Sequence, residues 1–158
     1  MIVVADSSPL RYLIVLGQSE LLPGMFGETW IPSAVVSELS TTATPSLVRT
    51  FLRNPPPWLR VRDPGSAALA AITSDLDPGE RAALALAREL NADLVLLDDA
   101  AGRREALALR MRITGTVGVL RLAAERGLID VPGVVSQLRE SGFYLSESLI
   151  RAAFDQWL

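Results

Sequence analysis

The chain contains no cysteine, no histidine and no lysine; all 15 basic residues are arginine. Each absence removes a class of chemistry. Zinc sites built on thiolate or imidazole are impossible, as are cysteine nucleophiles and any triad with a histidine base. The P-loop lysine, Schiff-base chemistry and Ser–Lys pairs go with the missing lysine. Long apolar runs are missing too. Tyr12 to Gly17 is short and runs into polar Gln18-Ser19-Glu20, far below the length of a membrane span. The start lacks a basic leader, and Asp6 interrupts its first apolar run, so no export signal is read and the cytoplasm is the expected compartment. The tools left for chemistry are Asp, Glu, hydroxyls, Arg, Tyr and bound ions. Clustered carboxylates without softer ligands favour Mg²⁺ or Mn²⁺.

What is present points to a folded domain. A length of 158 residues and a hydrophobic fraction of 49% permit a proper core and exclude a disordered chain. The expected organisation is a single domain over 1–158, with 134–158 as a C-terminal helical extension. A formal net charge of −3 argues against a sequence-independent nucleic-acid coat protein. It leaves room for a nuclease, because an acidic metal site and an arginine patch can share one molecule. Arg103, Arg104, Arg110 and Arg112 lie close in sequence. Such a run reads first as a solvated helix face and only second as a nucleic-acid patch.

Strand-like and helix-like segments alternate. IVVA is a short β-branched run ended by a turn signal. PLRYLIVLG reads as a helix, with Pro9 in its first turn and Gly17 able to end it. ETWIP (strand), SAVVSELS and SLVRTFLR (helices), WLRVR (strand) and a small Ala-rich helix follow. DPGERAALALAREL carries the best helix start, with Asp77 as cap, Pro78 at the first position and Glu80 three residues after the cap. ADLVLLDD reads as a buried strand ending on two acids, AAGRREALALRM as a helix, RITGTVG as a strand entering a turn, and VLRLAAERGLI as a helix stopping at Gly127. From Ser136 the chain reads as two helical pieces joined at GFYLS, where Tyr144, Leu145, Leu149 and Trp157 read as core or partner-facing residues. Alternation of this kind implies an α/β fold whose parallel sheet is covered on both faces, with ligands bound beyond the carboxyl ends of the strands.

Asp6 and the Asp98–Asp99 pair end two such strands. Each acid could simply cap the following helix. One cap suffices for one helix, so Asp99 is expected to cap and Asp98 to face the crevice. Glu80 is balanced between a capping box and a place at the same edge. Glu38 lies more than a turn into its helix and reads, on spacing alone, as an ordinary surface residue. Several carboxylates crowded together repel and raise one another's pKa, and a divalent cation reverses that logic. Such a site suits phosphodiester hydrolysis, with the cation activating water and neutralising the phosphate. Ser7 and Ser8 either start the next helix or hold a carboxylate from behind.

The ordered phrases VVADSSPL, IPSAVVSEL, LDPGERAALALA, ADLVLLDDAAGRR and ITGTVGVL, running from Met1 to about Ile129, resemble the PIN-domain family, and within it the VapC-like prokaryotic branch. The resemblance implies a three-layer α/β/α sandwich around a central, mostly parallel sheet, and a Mg²⁺- or Mn²⁺-dependent ribonuclease. It carries the acidic cluster onto Asp6, Glu38, Glu80 and Asp98, with Asp99 beside it. The metal falls to Asp6 and Asp98, with Glu38, Glu80 and Asp99 direct or through water. Ser7, Ser8 and Thr116 become supporting hydroxyls, and Arg103 and Arg104 RNA-positioning residues. Many VapC toxins have Asp where Glu80 stands, and Glu reaches further. The resemblance also implies a toxin of a toxin–antitoxin pair, a small antitoxin covering the site, and a homodimer. The alternative is a PIN-like module that holds RNA or a protein without cutting. Receiver domains and dehalogenase-type phosphatases also gather acids at a sheet edge, but both need the lysine this chain lacks.

Overall fold

β1 (Val3–Ala5) is buried on both faces, as its uninterrupted apolar sequence requires of a central parallel strand. In the computed structural model, which describes residues 1–158, it is followed by α1 (Ser7–Val15), α2 (Leu21–Phe26), β2 (Thr29–Ile31), α3 (Ser33–Glu38) and α4 (Ser46–Arg53). Then come β3 (Leu59–Val61), α5 (Ser66–Ala70), α6 (Pro78–Glu89) and β4 (Leu94–Leu96). α7 (Ala100–Ala108), β5 (Ile113–Thr114), α8 (Thr116–Glu125), α9 (Val131–Glu140), α10 (Glu147–Phe154) and a 3-10 turn (Asp155–Trp157) complete the chain.

The five strands form one all-parallel sheet in the order β3-β2-β1-β4-β5. β1 pairs with β4 in the register Val3↔Leu94, Val4↔Val95, Ala5↔Leu96. Strand order reverses between these two strands, which is where α/β sheets open a crevice beyond their carboxyl ends. The Asp6 amide still donates to the Leu96 carbonyl at 2.9 Å, so the ladder holds Asp6 at the lip of that crevice.

Alternation along the strands divides the core into two layers. Val3, Ala5 and Leu96 face one side, with α1, α8, α9 and α10 contributing Leu10, Leu13, Leu120, Leu138 and Phe154. Val4, Val95 and Leu97 face the other, against Leu84 and Leu86 of α6 and Ala106 of α7. The result is the α/β/α sandwich expected from the alternating elements. Phe154 and Ile150 are fully buried, so the last helix packs on the same layer as α1.

The helix punctuation follows the residues. Asp77 accepts from the Glu80 amide at 2.8 Å, with Pro78 in the first turn of α6. Asp99 caps α7 by accepting from the Gly102 amide at 3.1 Å. Gly17 and Gly127 follow the ends of α1 and α8 at φ of 69° and 67°, a conformation that glycine adopts without a Cβ penalty. One helix and several boundaries differ from the sequence reading. α2 (LLPGMF) is absent from that reading, because Pro23 and Gly24 inside six residues hide it. α8 begins at Thr116, earlier than its apolar run suggests. α9 begins at Val131, with Pro132 in its first turn, where the sequence pattern shows no helix before Ser136.

Candidate functional site

Beyond the carboxyl ends of β1 and β4 lies a cavity of about 530 Å³. Its acidic wall is Asp6, Glu38, Asp77, Glu80, Asp98 and Asp99. Four elements deliver these groups: β1 ends at Asp6, α3 ends at Glu38, the start of α6 brings Asp77 and Glu80, and the β4–α7 turn brings Asp98 and Asp99. Ser7, Ser8 and Tyr12 of α1 complete one side.

Asp6 occupies the N-cap position of α1, yet its side chain makes no cap hydrogen bond. The cap reading for this acid therefore fails. Its side chain is turned inward, and its Oδ1 is buried with no hydrogen-bond partner. Burial pushes the Asp6 carboxyl up to about 7, against a pull from the Ser7 amide, with repulsion from Glu38, Asp77 and Asp98 adding to the rise. Leaving a buried acceptor without a donor costs roughly 1–3 kcal/mol.

Glu80 is also buried. Asp77 performs its half of the capping box, but no bond runs from the Glu80 carboxylate to the Asp77 amide. The Glu80 carboxyl lines the cavity instead. Burial pushes it up to about 8, with repulsion from Asp77, Asp99 and Asp6 contributing.

Glu38, which spacing alone leaves on the surface, turns inward. It accepts from Ser7 Oγ and from the Gly79 amide, the latter at 2.9 Å across 41 residues of sequence. Gly79 is glycine for this reason: a Cβ there would collide with the Glu38 carboxylate. α3 is held in turn by Asp63, which accepts from the Ser33 amide at 2.8 Å and from Ser33 Oγ at 2.7 Å.

Asp98 is the most fully held acid. Ser8 Oγ donates to it at 2.8 Å, and Thr116 donates through both its amide and its Oγ1 at 2.7 Å. Thr116 is fully buried at the start of α8. A Cβ at Gly115 would strike the Asp98 carboxylate, so that glycine too makes room for an acid. The two arginines part company. Arg103 donates to the Leu97 carbonyl at 2.9 Å and lines a second cavity that shares Asp98. Arg104 is exposed and lines neither cavity. Asp77 is the acid the sequence reading assigned to capping alone; it caps and lines the cavity at once.

A family model described as a PIN domain matches residues 2–157. The chain belongs to the PIN-domain family. PIN domains are typically nucleases and usually use divalent metal ions. This PIN domain is similar in structure to a PilT N-terminus domain protein from the hyperthermophilic archaeon Sulfolobus solfataricus P2. The two share 17% identity and a TM-score of 0.49, over 93% of this chain and 98% of that chain. No curated protein matches the chain. No helix is long and apolar enough to cross a membrane.

The residues fit a hard divalent cation. Every side-chain donor on the acidic wall is oxygen, as Mg²⁺ and Mn²⁺ prefer. The unpartnered Oδ1 of Asp6 is a ligand atom without a protein competitor. The carboxylates ring the cavity rather than converge, and no three of them form a ready-made cage.

Proposed function

We propose that this PIN domain is a metal-dependent endoribonuclease. One observation carries the reading: Asp6, Glu38, Glu80 and Asp98, drawn from four separate elements, line a single cavity at the switch point of the sheet, with the buried Asp6 Oδ1 unpartnered. Asp6 and Asp98 hold Mg²⁺ or Mn²⁺, and Glu38, Glu80 and Asp99 join directly or through water. The bound cation supplies Lewis-acid activation of water and neutralisation of the scissile phosphate. The chain's own groups do the positioning. Ser8 and Thr116 fix the Asp98 carboxylate, Ser7 and the Gly79 amide fix Glu38, and Arg103 offers a cation to the RNA backbone. On the resemblance to the VapC-like branch, we extend the proposal to a cytoplasmic toxin that dimerises and whose small antitoxin covers the acidic cavity.

The test is cleavage of single-stranded RNA with Mn²⁺ by the wild type and by Asp6→Asn. Loss of metal-dependent cleavage in the variant supports the assignment; unchanged cleavage in a rigorously cleaned preparation would sink it. The toxin reading predicts growth arrest on induced expression of the wild type and none with Asp6→Asn. The lack of a converging trio of carboxylates favours one second reading, a module that holds RNA or protein without cutting. Calorimetry discriminates: no Mn²⁺ binding at millimolar concentration would favour that module.

A further inference from the structure

Beside the acidic cavity lies a pocket of about 460 Å³ with different chemistry. Asp98, Phe143 and Tyr144 belong to both, so the two spaces meet along one seam. The pocket walls are largely apolar, including Val117, Leu145 and Leu149, and Arg103 and Thr114 add polar groups.

The connector between α9 and α10 builds the seam. Gly142 turns the chain at φ of 84°. Phe143 then anchors it, packing edge-on against Tyr12 with ring centroids 4.8 Å apart and planes at 79°. Tyr144 comes next and is 94% exposed, the most exposed large hydrophobic residue of the chain. Neither core burial nor an intramolecular contact accounts for an aromatic ring standing free beside an anchored neighbour. Leu149, across the pocket, is 54% exposed. Arg103 has no carboxylate within 4 Å, and the bond to the Leu97 carbonyl holds its guanidinium in place.

We propose that this pocket is a nucleobase subsite for single-stranded RNA, with the Tyr144 ring as its stacking face and Arg103 as the cation that meets the adjoining phosphate. The inference rests on the ribonuclease reading and deepens it. A nucleotide needs an apolar, π-faced place for the base, and an anion-tolerant place within one nucleotide for the phosphate. The pocket offers both, and its seam opens onto the acidic wall. A π-face accepts any base, so the subsite favours unpaired strands over a particular sequence. An apolar side chain from a protein would use the walls and leave the fixed guanidinium unused, which is why RNA is the chosen occupant.

The test uses the full chain with Mn²⁺ and a short single-stranded RNA carrying 2-aminopurine. Quenching of the probe is followed within the first turnover by stopped flow, alongside steady-state KM and kcat. Wild type is expected to quench the probe. Tyr144→Ala is expected to lose the quenching and raise KM roughly five- to 150-fold, with kcat little changed. Tyr144→Phe is expected to keep both, because stacking needs the ring and not the hydroxyl. The ring's exposure means that neither change disturbs the core. A Tyr144→Ala protein that binds and cuts like wild type overturns the subsite and leaves the nuclease reading standing. Equal losses in Tyr144→Ala and Tyr144→Phe overturn stacking as the cause. A Tyr144→Ala protein that handles RNA normally but loses a protein inhibitor gives the pocket to protein and overturns the proposal. A wild type that neither binds nor cuts RNA overturns both readings together.

Discussion

Replacing Asp6 by Asn should make the metal-free protein more stable at alkaline pH. The folded state raises the Asp6 carboxyl from 3.8 to about 7. The folded protein therefore holds this proton more tightly than the unfolded chain does. That contribution is fully present below pH 3.8 and is lost as pH rises through about 7. At 1.36 kcal/mol per pH unit, the loss is about 4 kcal/mol. That is a large share of the roughly 5–15 kcal/mol that keeps an ordinary domain folded. The variant's carboxamide has no such proton to lose. Urea unfolding in EDTA, followed by the fluorescence of Trp30, Trp58 and Trp157, should show the two proteins close together near pH 4. The variant should pull ahead through neutral pH, by up to about 4 kcal/mol at pH 8.5. Taking the difference at each pH cancels acids that do not interact with Asp6, such as Asp63, whose pKa Ser33 lowers; Glu80, which burial pushes up to about 8 with Asp6 contributing, loses part of that rise in the variant and adds to the difference. Mn²⁺ should then narrow that gap. At a hundredfold excess over Kd, a cation that binds only the folded wild type adds about 2.7 kcal/mol. A difference curve that stays flat from pH 4 to 8.5 would show that burial does not set the Asp6 proton affinity.

Three further outcomes are expected. Gly79→Ala puts a Cβ into the Glu38 carboxylate; it should cut kcat/KM with Mn²⁺ roughly 10–100-fold while the melting temperature holds, since alanine favours a helix over glycine. Thr116→Val removes one of three donors to Asp98 and should weaken Mn²⁺ affinity by roughly 10–100-fold in calorimetry. We take residues 1–158 as one cooperative unit including the 134–158 extension. Phe154→Ala, at a fully buried position shared with α1, should then cost about 3–5 kcal/mol in a single urea transition; a separate early transition would show that the extension unfolds by itself.

Most of the layering was readable because it is local. IVVA and ADLVLL are short β-branched or apolar runs, and Asp77-Pro78 and Asp99 are cap signals acting within one turn. Those signals also place Asp6 and Asp98 at one edge, because their strands are parallel neighbours in register. The inward turn of Glu38 was not readable from spacing. Its partners are Ser7 and Gly79, 31 and 41 residues away, and no helical period encodes them. Gly79 was the overlooked signal: no turn requires glycine in the first turn of α6, so the reason had to be a close approach. Asp77 was hidden by its own success as a cap, and α2 by its Pro-Gly pair. Tyr144 reads from sequence as core or partner-facing, and composition cannot distinguish an anchored ring from its exposed neighbour. That distinction is made by the Phe143–Tyr12 contact.

A crystal soaked in millimolar Mn²⁺ and measured for anomalous scattering tests directly whether the acidic cavity holds a cation. A cation held by Asp6 and Asp98 gives a peak within coordination distance of both carboxylates, and the peak disappears in Asp6→Asn. A map with no peak in this cavity, from crystals that show Mn²⁺ entering elsewhere, would contradict metal binding here and leave the acids lining a cavity without a cation to hold.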